Sequence, residues 1–327
     1  MKIPAIAALG LSLVLSLVLS FAASLSHAQT YPTKNVRIIV GLAPGGTTDV
    51  FTRTLAQRLT EAWGQTVIVE NRPGASGMIG GEAVAKAAPD GYTLLVSPQT
   101  SLAVAPALYG KAPYDTAKDF APVSLLGSTP LVMIVHPSFP AKSFAEFVAL
   151  AKKGTPLTFG SGGVGSSPHM TGELISAALG VKMTHVPYKG ENPAIADTIG
   201  GQIPIMFGNL PVALPHVRSG RVLALATTTA RRSPLAPEIP TMSEGGIKDF
   251  EMATWYGMLA PAGTPPELVA KIQRDSARVL SDPETRERLT KMGVDLILNT
   301  PEEFRTYLNS EIARYTKIIK ANGLKAE

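Results

Sequence analysis

The sequence predicts an α/β protein of two lobes with parallel-rich sheets, a discontinuous first lobe and a ligand cleft between the lobes. Three observations lead there. Short β-branched runs alternate with segments of helical apolar spacing from residue 36 onward. The alternation restarts near residue 131 after an irregular stretch. From about Phe250 the chain changes character, a strand leading into amphipathic helices that need an existing core to cover.

Residues 36–40, Val-Arg-Ile-Ile-Val, read as a buried parallel strand because the run is short, β-branched and bounded by turn residues. Phe51, Leu55, Leu59 and Ala62 then recur at helical spacing up to Gly64, a helix stop. Residues 67–69 form the next strand, 80–88 a helix, and 93–97 a strand after the Pro89-Asp90-Gly91 turn. Strand, helix, strand, helix, strand implies a parallel sheet.

A second unit opens with a strand at 131–135 that ends at His136-Pro137. Ser143 and Glu146 have capping-box spacing for a helix through Lys153. Residues 158–160 form a strand, and 168–179 a helix with Ser167 as N-cap, Pro168 at its first position and Gly180 at its end. Strands at 181–186, 203–207 and 222–227 follow, with a helix at 193–199 capped by Asn192.

A strand at 255–260 leads to Thr264-Pro265-Pro266-Glu267, read as a capping box with proline at the first helical position. Asp282-Pro283 and Thr300-Pro301-Glu302-Glu303 start two further helices. The last puts Phe304, Tyr307, Leu308, Ile312, Tyr315 and Ile319 on one face, expected to pack on the first lobe. The expected lobes are therefore 29–129 with 254–327, and 130–253. Two crossings between them make a hinge.

Residues 1–28 read as a secretory leader. Lys2 precedes a run of Ala, Leu, Val, Ile and Phe over residues 6–23, and Ser26 and Ala28 place cleavage before Gln29. An uncleaved anchor is the alternative, although the run is barely long enough to span a bilayer. Export to the periplasm is expected. With no cysteine, disulfides, thiolate chemistry and a lipidated cysteine are excluded, so the core alone must hold the fold. A charge of +5 without long basic runs, and 6% aromatic residues, argue against a nucleic-acid partner and leave a mild bias toward anions.

In open α/β sheets ligands bind beyond the carboxyl ends of the strands. Two loops there stand out. Ala43, Pro44, Gly45, Gly46, Thr47, Thr48 and Asp49 join the first strand to the first helix. Glycines let a ligand approach the backbone, and the first helical turn offers free N–H groups to a negative charge. Asp49 is placed to meet the helix dipole or Arg53 one turn on. An ordinary strand-to-helix turn has the same composition, and without a Gly-Lys-Ser/Thr ending the loop is no nucleotide P-loop. The second loop carries Ser161, Gly165, Ser166, Ser167 and His169 before the helix at 168. Facing each other across a cleft, the two would hold a carboxylate without a buried arginine.

Gln99, Lys189 and Asn209 follow later strands and are expected to add polar groups to the cleft. No cofactor is expected, and the histidines lack metal-ligand spacing. Ser166 or Ser167 with His169 invites a hydrolase reading, but the Gly-x-Ser-x-Gly elbow is missing and no catalysis is expected.

Several motifs together carry a resemblance: Pro44-Gly45-Gly46-Thr47-Thr48-Asp49 with Arg53, Val69-Glu70-Asn71-Arg72-Pro73-Gly74-Ala75, Pro89-Asp90-Gly91-Tyr92-Thr93, Gly165-Ser166 with His169, and Val186-Pro187-Tyr188-Lys189-Gly190. From about Tyr31 to its end, the chain resembles the Bug-type periplasmic receptors of tripartite tricarboxylate transporters. The resemblance implies a two-lobed binding protein, working as a monomer, that closes on a small organic carboxylate. It implies integral-membrane transporter subunits as partners, and a carboxylate held by the Gly-Gly loop and the Gly-Ser-x-x-His loop. Glu191 and Asn192 depart from the small residues usual after Tyr-Lys-Gly, and Pro204 from a common aspartate. A ligand-sensing role feeding a signalling system is the alternative that the sequence leaves open.

Overall fold

In the computed structural model, β1 (Val36–Val40) feeds α1 (Thr47–Trp63), followed by β2 (Val67–Asn71), α2 (Met78–Ala85) and β3 (Thr93–Pro98). A wide helical turn at Thr100–Val104 runs into α3 (Ala105–Tyr109), and then β4 (Phe120–Val135) extends for 16 residues. Next come α4 (Phe144–Lys152), β5 (Leu157–Ser161), α5 (Ser167–Leu179), β6 (Met183–Pro187) and α6 (Glu191–Ile199). β7 (Ile205–Asn209), α7 (Leu210–Arg218) and β8 (Leu223–Thr227) follow. The chain ends with β9 (Ala253–Pro261), α8 (Pro266–Leu280), α9 (Pro283–Lys291), β10 (Asp295–Leu296) and α10 (Pro301–Ala321).

The structure describes residues 31–325, and those from Asn35 onward belong to one compact unit. The leader and its cleavage after Ala28 lie outside the described residues. Among the described residues no helix is long and apolar enough to cross a membrane.

Helix ends follow local chemistry. Gly64 closes α1 in the left-handed region, its N–H donating to Thr60 O. Thr300 and Glu303 form a reciprocal capping box on α10, and Asp282 accepts from Thr285 N to start α9. Three predicted caps are corrected. Ser166, not Ser167, caps α5, because its hydroxyl accepts from His169 N at 3.3 Å. α6 begins at Glu191 after Gly190, whose φ of 106° suits glycine, so Asn192 lies inside the helix. Thr264 donates to Pro261 O at 2.7 Å instead of capping α8, which starts at Pro266 with no side-chain cap.

The strands form a mixed sheet in the order β2-β1-β3-β9-β4-β7-β5-β6, with β8 and β10 also paired to β4. β1 is parallel to β2 and β3, and β5 is parallel to β6 and β7, as the alternating pattern predicts. The centre is antiparallel. Residues 120–130 of β4 pair with β9, and residues 131–135 pair with β7 and β8. One strand therefore serves both halves. The predicted strand at 131–135 is the second half of β4. Its first half is masked in the sequence by Pro122, Gly127 and Pro130, and register shifts occur at 122/124 and 125/127, where irregular pairing tolerates such residues.

α10 docks as its apolar face predicts. Phe304, Leu308, Tyr315 and Ile319 are buried. Phe304 meets Trp255 edge-on, with centroids 6.1 Å apart, and lies so close over Gly257 that a Cβ there would sit 2.3 Å from the ring. Trp255 also donates through Nε1 to Glu311 Oε2 at 2.9 Å. Burying Phe304 alone stabilises this docking by roughly 2–3 kcal/mol.

Candidate ligand-binding cleft

The strand registers bring the informative loops together. Val40 is level with Val96, and Pro98 at the end of β3 is level with Tyr256 at the start of β9. Thr254 pairs with Thr129, the next residues of β4 carry Leu131 alongside Asn209, and Phe159 of β5 aligns with Ile205 of β7. The carboxyl ends of β1, β3, β5 and β7 thus converge where β4 passes from one half of the sheet to the other. Thr228 stitches that passage. Its hydroxyl accepts from Leu131 N at 3.1 Å and contacts Met252 O at 2.5 Å, while its N–H donates to Leu131 O.

On the first loop, Ala43, Pro44, Gly45 and Gly46 are exposed and Thr47 is half-buried. A Cβ on Gly45 or Gly46 would meet nothing within 4 Å, so this backbone borders open space at the start of a helix of 17 residues. Asp49 turns inward. Its carboxylate accepts from Gly45 N at 2.9 Å, Arg53 Nε at 3.0 Å and Asn71 Nδ2 at 2.9 Å. Burial opposes its ionisation, but the hydrogen bonds from Arg53, Gly45 and Asn71 outweigh that and hold its carboxyl below the usual range. Asp49 and the buried Thr48, whose carbonyl accepts from Thr52 Oγ1, shape the loop from behind.

The second loop is held just as closely. Ser161 is fully buried, with its Oγ accepting from Gly163 N at 3.1 Å and 2.7 Å from His185 Nε2. Gly165 N donates to His169 Nδ1 at 3.0 Å, which fixes His169 with its proton on Nε2, 3.6 Å from Glu173 Oε1. Gly165 adopts a φ of 75°, and a Cβ there would come within 3.0 Å of Leu108 on α3. The loop of one half therefore reaches the helix of the other.

The serines and His169 form no catalytic dyad here. The Ser166 hydroxyl donates to Gly163 O at 2.7 Å and caps the helix, Ser167 is buried at its first position, and the acceptor nitrogen of His169 is taken by backbone. A nucleophile needs a base within hydrogen-bond reach of its own proton.

Three outlying candidates separate. Gln99 is fully buried, its amide donating to Ala253 O at 3.0 Å and accepting from Trp255 N at 2.7 Å, so it ties β3 to β9 and is not available to a ligand. The turn after β3 folds into the core under α10, which places Gln99 behind the surface of the cleft. Lys189 is exposed in the turn after β6. Asn209 sits at the passage itself, where its Oδ1 accepts from Thr254 Oγ1 at 2.9 Å.

Residues not selected from the sequence complete the junction. Tyr256, buried, donates to Thr129 Oγ1 at 2.9 Å and interacts with the Thr47 side chain. Glu191 accepts from Asn209 N at 3.1 Å and Asn209 Nδ2 at 2.5 Å. Their sequence signal was slight: an aromatic in an apolar strand and an acid after a turn. Among the described residues no group of three or more His, Asp or Glu is placed to hold a metal ion. A surface depression of about 600 Å³ lined by Arg58, Glu61 and Asp282 lies away from both loops, and Arg58 is already paired with those two acids.

Comparison with known proteins points the same way. The model of a family described as the tripartite tricarboxylate transporter family receptor matches residues 51–324. The chain is 36% identical to protein BugT of Bordetella pertussis over 300 residues, covering 91% of this chain and 92% of that protein. It is similar to the solved structure of Rpa4515 from R. palustris with adipate, with a TM-score of 0.79 and 34% identity over 90% of this chain and 99% of that one. MatC from Rhodopseudomonas palustris with bound malate gives a TM-score of 0.75 and 33% identity, over 88% of this chain and all of that one.

Proposed function

Because the chain belongs to the tripartite tricarboxylate transporter receptor family, we propose that it captures a small organic carboxylate in the periplasm and delivers it to the integral-membrane subunits of such a transporter. The observation that carries this reading is the convergence of both glycine loops on the β4 passage. Open backbone at residues 43–47 and the N-terminus of α1 attract a negative group without a fixed counter-cation. Ser166 stands on the opposite wall, the buried Ser161, Gly165, Ser167 and His169 shape its loop from behind, and Asn209 lies at the floor with Lys189 at the rim. Thr48 and Asp49 hold the first loop in shape. The adipate and malate bound by the two solved relatives set the ligand class to test. The leader is removed after Ala28, the protein acts as a monomer, and the lobes comprise 29–129 with 254–327, and 130–253.

A binding protein of this kind needs closure, not turnover, and the tethered serine hydroxyls suit that. The test is native mass spectrometry of the mature protein purified without added ligand, followed by a thermal-shift panel of mono-, di- and tricarboxylates. A co-purifying acid or a saturable shift supports capture. No bound acid and no shift with any member would overturn it.

A further inference from the structure

Glu191 occupies an unusual place for an acid in a cleft read as an anion site. It opens α6 directly after Gly190 and turns back over the second loop, so that a Cβ on Gly162 would lie 3.2 Å from its Cγ. Its Oε2 would be 3.6 Å from a Cβ on Gly208. Both oxygens accept from a single residue, Asn209, at 3.1 and 2.5 Å. Asn209 in turn binds Thr254 across the passage. The charge of Glu191 is felt by Tyr256, whose hydroxyl meets Thr129 and Thr47 of the first loop. Glu191 therefore packs on the second loop and is tied through Asn209 and Thr254 to the β4 passage.

Glu191 is crowded by protein on most sides yet keeps a solvent-accessible face, the combination expected of a group at the floor of a cleft. Burial raises its pKa, and the two hydrogen bonds from Asn209 do not offset this. A carboxylate has about four acceptor sites, and two donors leave part of that capacity unused.

We propose that Glu191 sets ligand specificity: the bound acid turns its carboxylate to the Gly45–Thr47 backbone and a hydrogen-bond donor, a hydroxyl or an ammonium, to Glu191. The proposal rests on the carboxylate-capture reading. A second carboxylate at that position would either face the ionised Glu191 in a desolvated site or oblige it to take up a proton, and both disfavour it. A donor there would satisfy lone pairs that are otherwise left to water.

The test is calorimetric titration at pH 7.5 with matched sets of three to six carbons: ω-amino acids, ω-hydroxy acids and α,ω-dicarboxylic acids. At the chain length that fits, the amino or hydroxy acid should bind at least about tenfold tighter than its dicarboxylic partner, the equivalent of one charge-assisted hydrogen bond. Glu191→Gln should shrink that ratio to below about threefold and improve dicarboxylate binding. The amino and hydroxy arms show which donor is preferred. If a dicarboxylate binds wild type as tightly as its partners, the proposal falls while carboxylate capture stands. An E191Q variant that folds with wild-type thermal stability and leaves the ratio unchanged has the same meaning. If no acid of any set binds, the proposal falls, and carboxylate capture is decided by the wider mono-, di- and tricarboxylate panel. The wild-type ranking decides the matter even should the variant not fold.

Discussion

The imidazole rings of His169 and His185 lie stacked with centroids 3.9 Å apart. Burial, and secondarily the neighbouring His169 ring, lower the pKa of His185 to about 3. The folded protein thus keeps His185 neutral where the unfolded chain takes up a proton, below about pH 6.5. The stabilisation is complete above that value and is lost as pH falls toward 3. Urea unfolding at pH 7.5 and 5.0 should show wild type losing about 1–2 kcal/mol through this group, the lower end reflecting its partial solvent contact. His185→Gln should lose less over the same interval. An identical loss in both proteins would remove His185 from the account.

Gly46 faces open space with a φ of −75°, a conformation that any residue adopts. Gly46→Leu should leave the urea midpoint nearly unchanged, within about 0.5 kcal/mol. It should weaken carboxylate binding by about tenfold or more, because a side chain there blocks approach to the helix N-terminus. Stability and affinity are read from the same preparation, and unchanged affinity would move the anion site away from this loop.

Asp49 gathers Gly45, Arg53 and Asn71 behind the first loop. Asp49→Ala leaves those donors without their acceptor and should cost about 1–2 kcal/mol in denaturant unfolding. Affinity should fall as well, since the loop loses its clamp. Asp49→Asn keeps one acceptor oxygen and should recover part of both.

Gly257→Ala forces a Cβ against the Phe304 ring and should destabilise the protein by about 1–3 kcal/mol through overpacking. Pairing it with Phe304→Leu should restore some of that loss, because the two sites share one space. Thermal unfolding of the four proteins of this cycle checks it. Strict additivity would mean that α10 does not press on β9 as described.

Much of the fold was legible because glycine, proline and serine punctuate it. Gly64 and Gly180 end helices where expected, and the predicted strands 36–40 and 93–97 match β1 and β3 closely. The failures have physical causes. β4 hides behind two prolines and a glycine that irregular pairing absorbs, and α7 behind Pro211 and Pro215. In the cleft, sequence singled out both loops but not the direction each side chain takes. Asp49 and Gln99 turn inward because their partners, Asn71 and Ala253, are supplied by distant strands. Glu191 gained significance only through the register that sets Asn209 beside Leu131.

The long β4 has a thermodynamic consequence. Each half of the sheet uses part of it as an interior strand, so neither half can melt while leaving the other a finished structure. Losing one half strips hydrogen-bond partners from the strand that enters the other and exposes a raw edge. A sheet built this way amounts to one cooperative unit, and heat should dismantle it in a single transition.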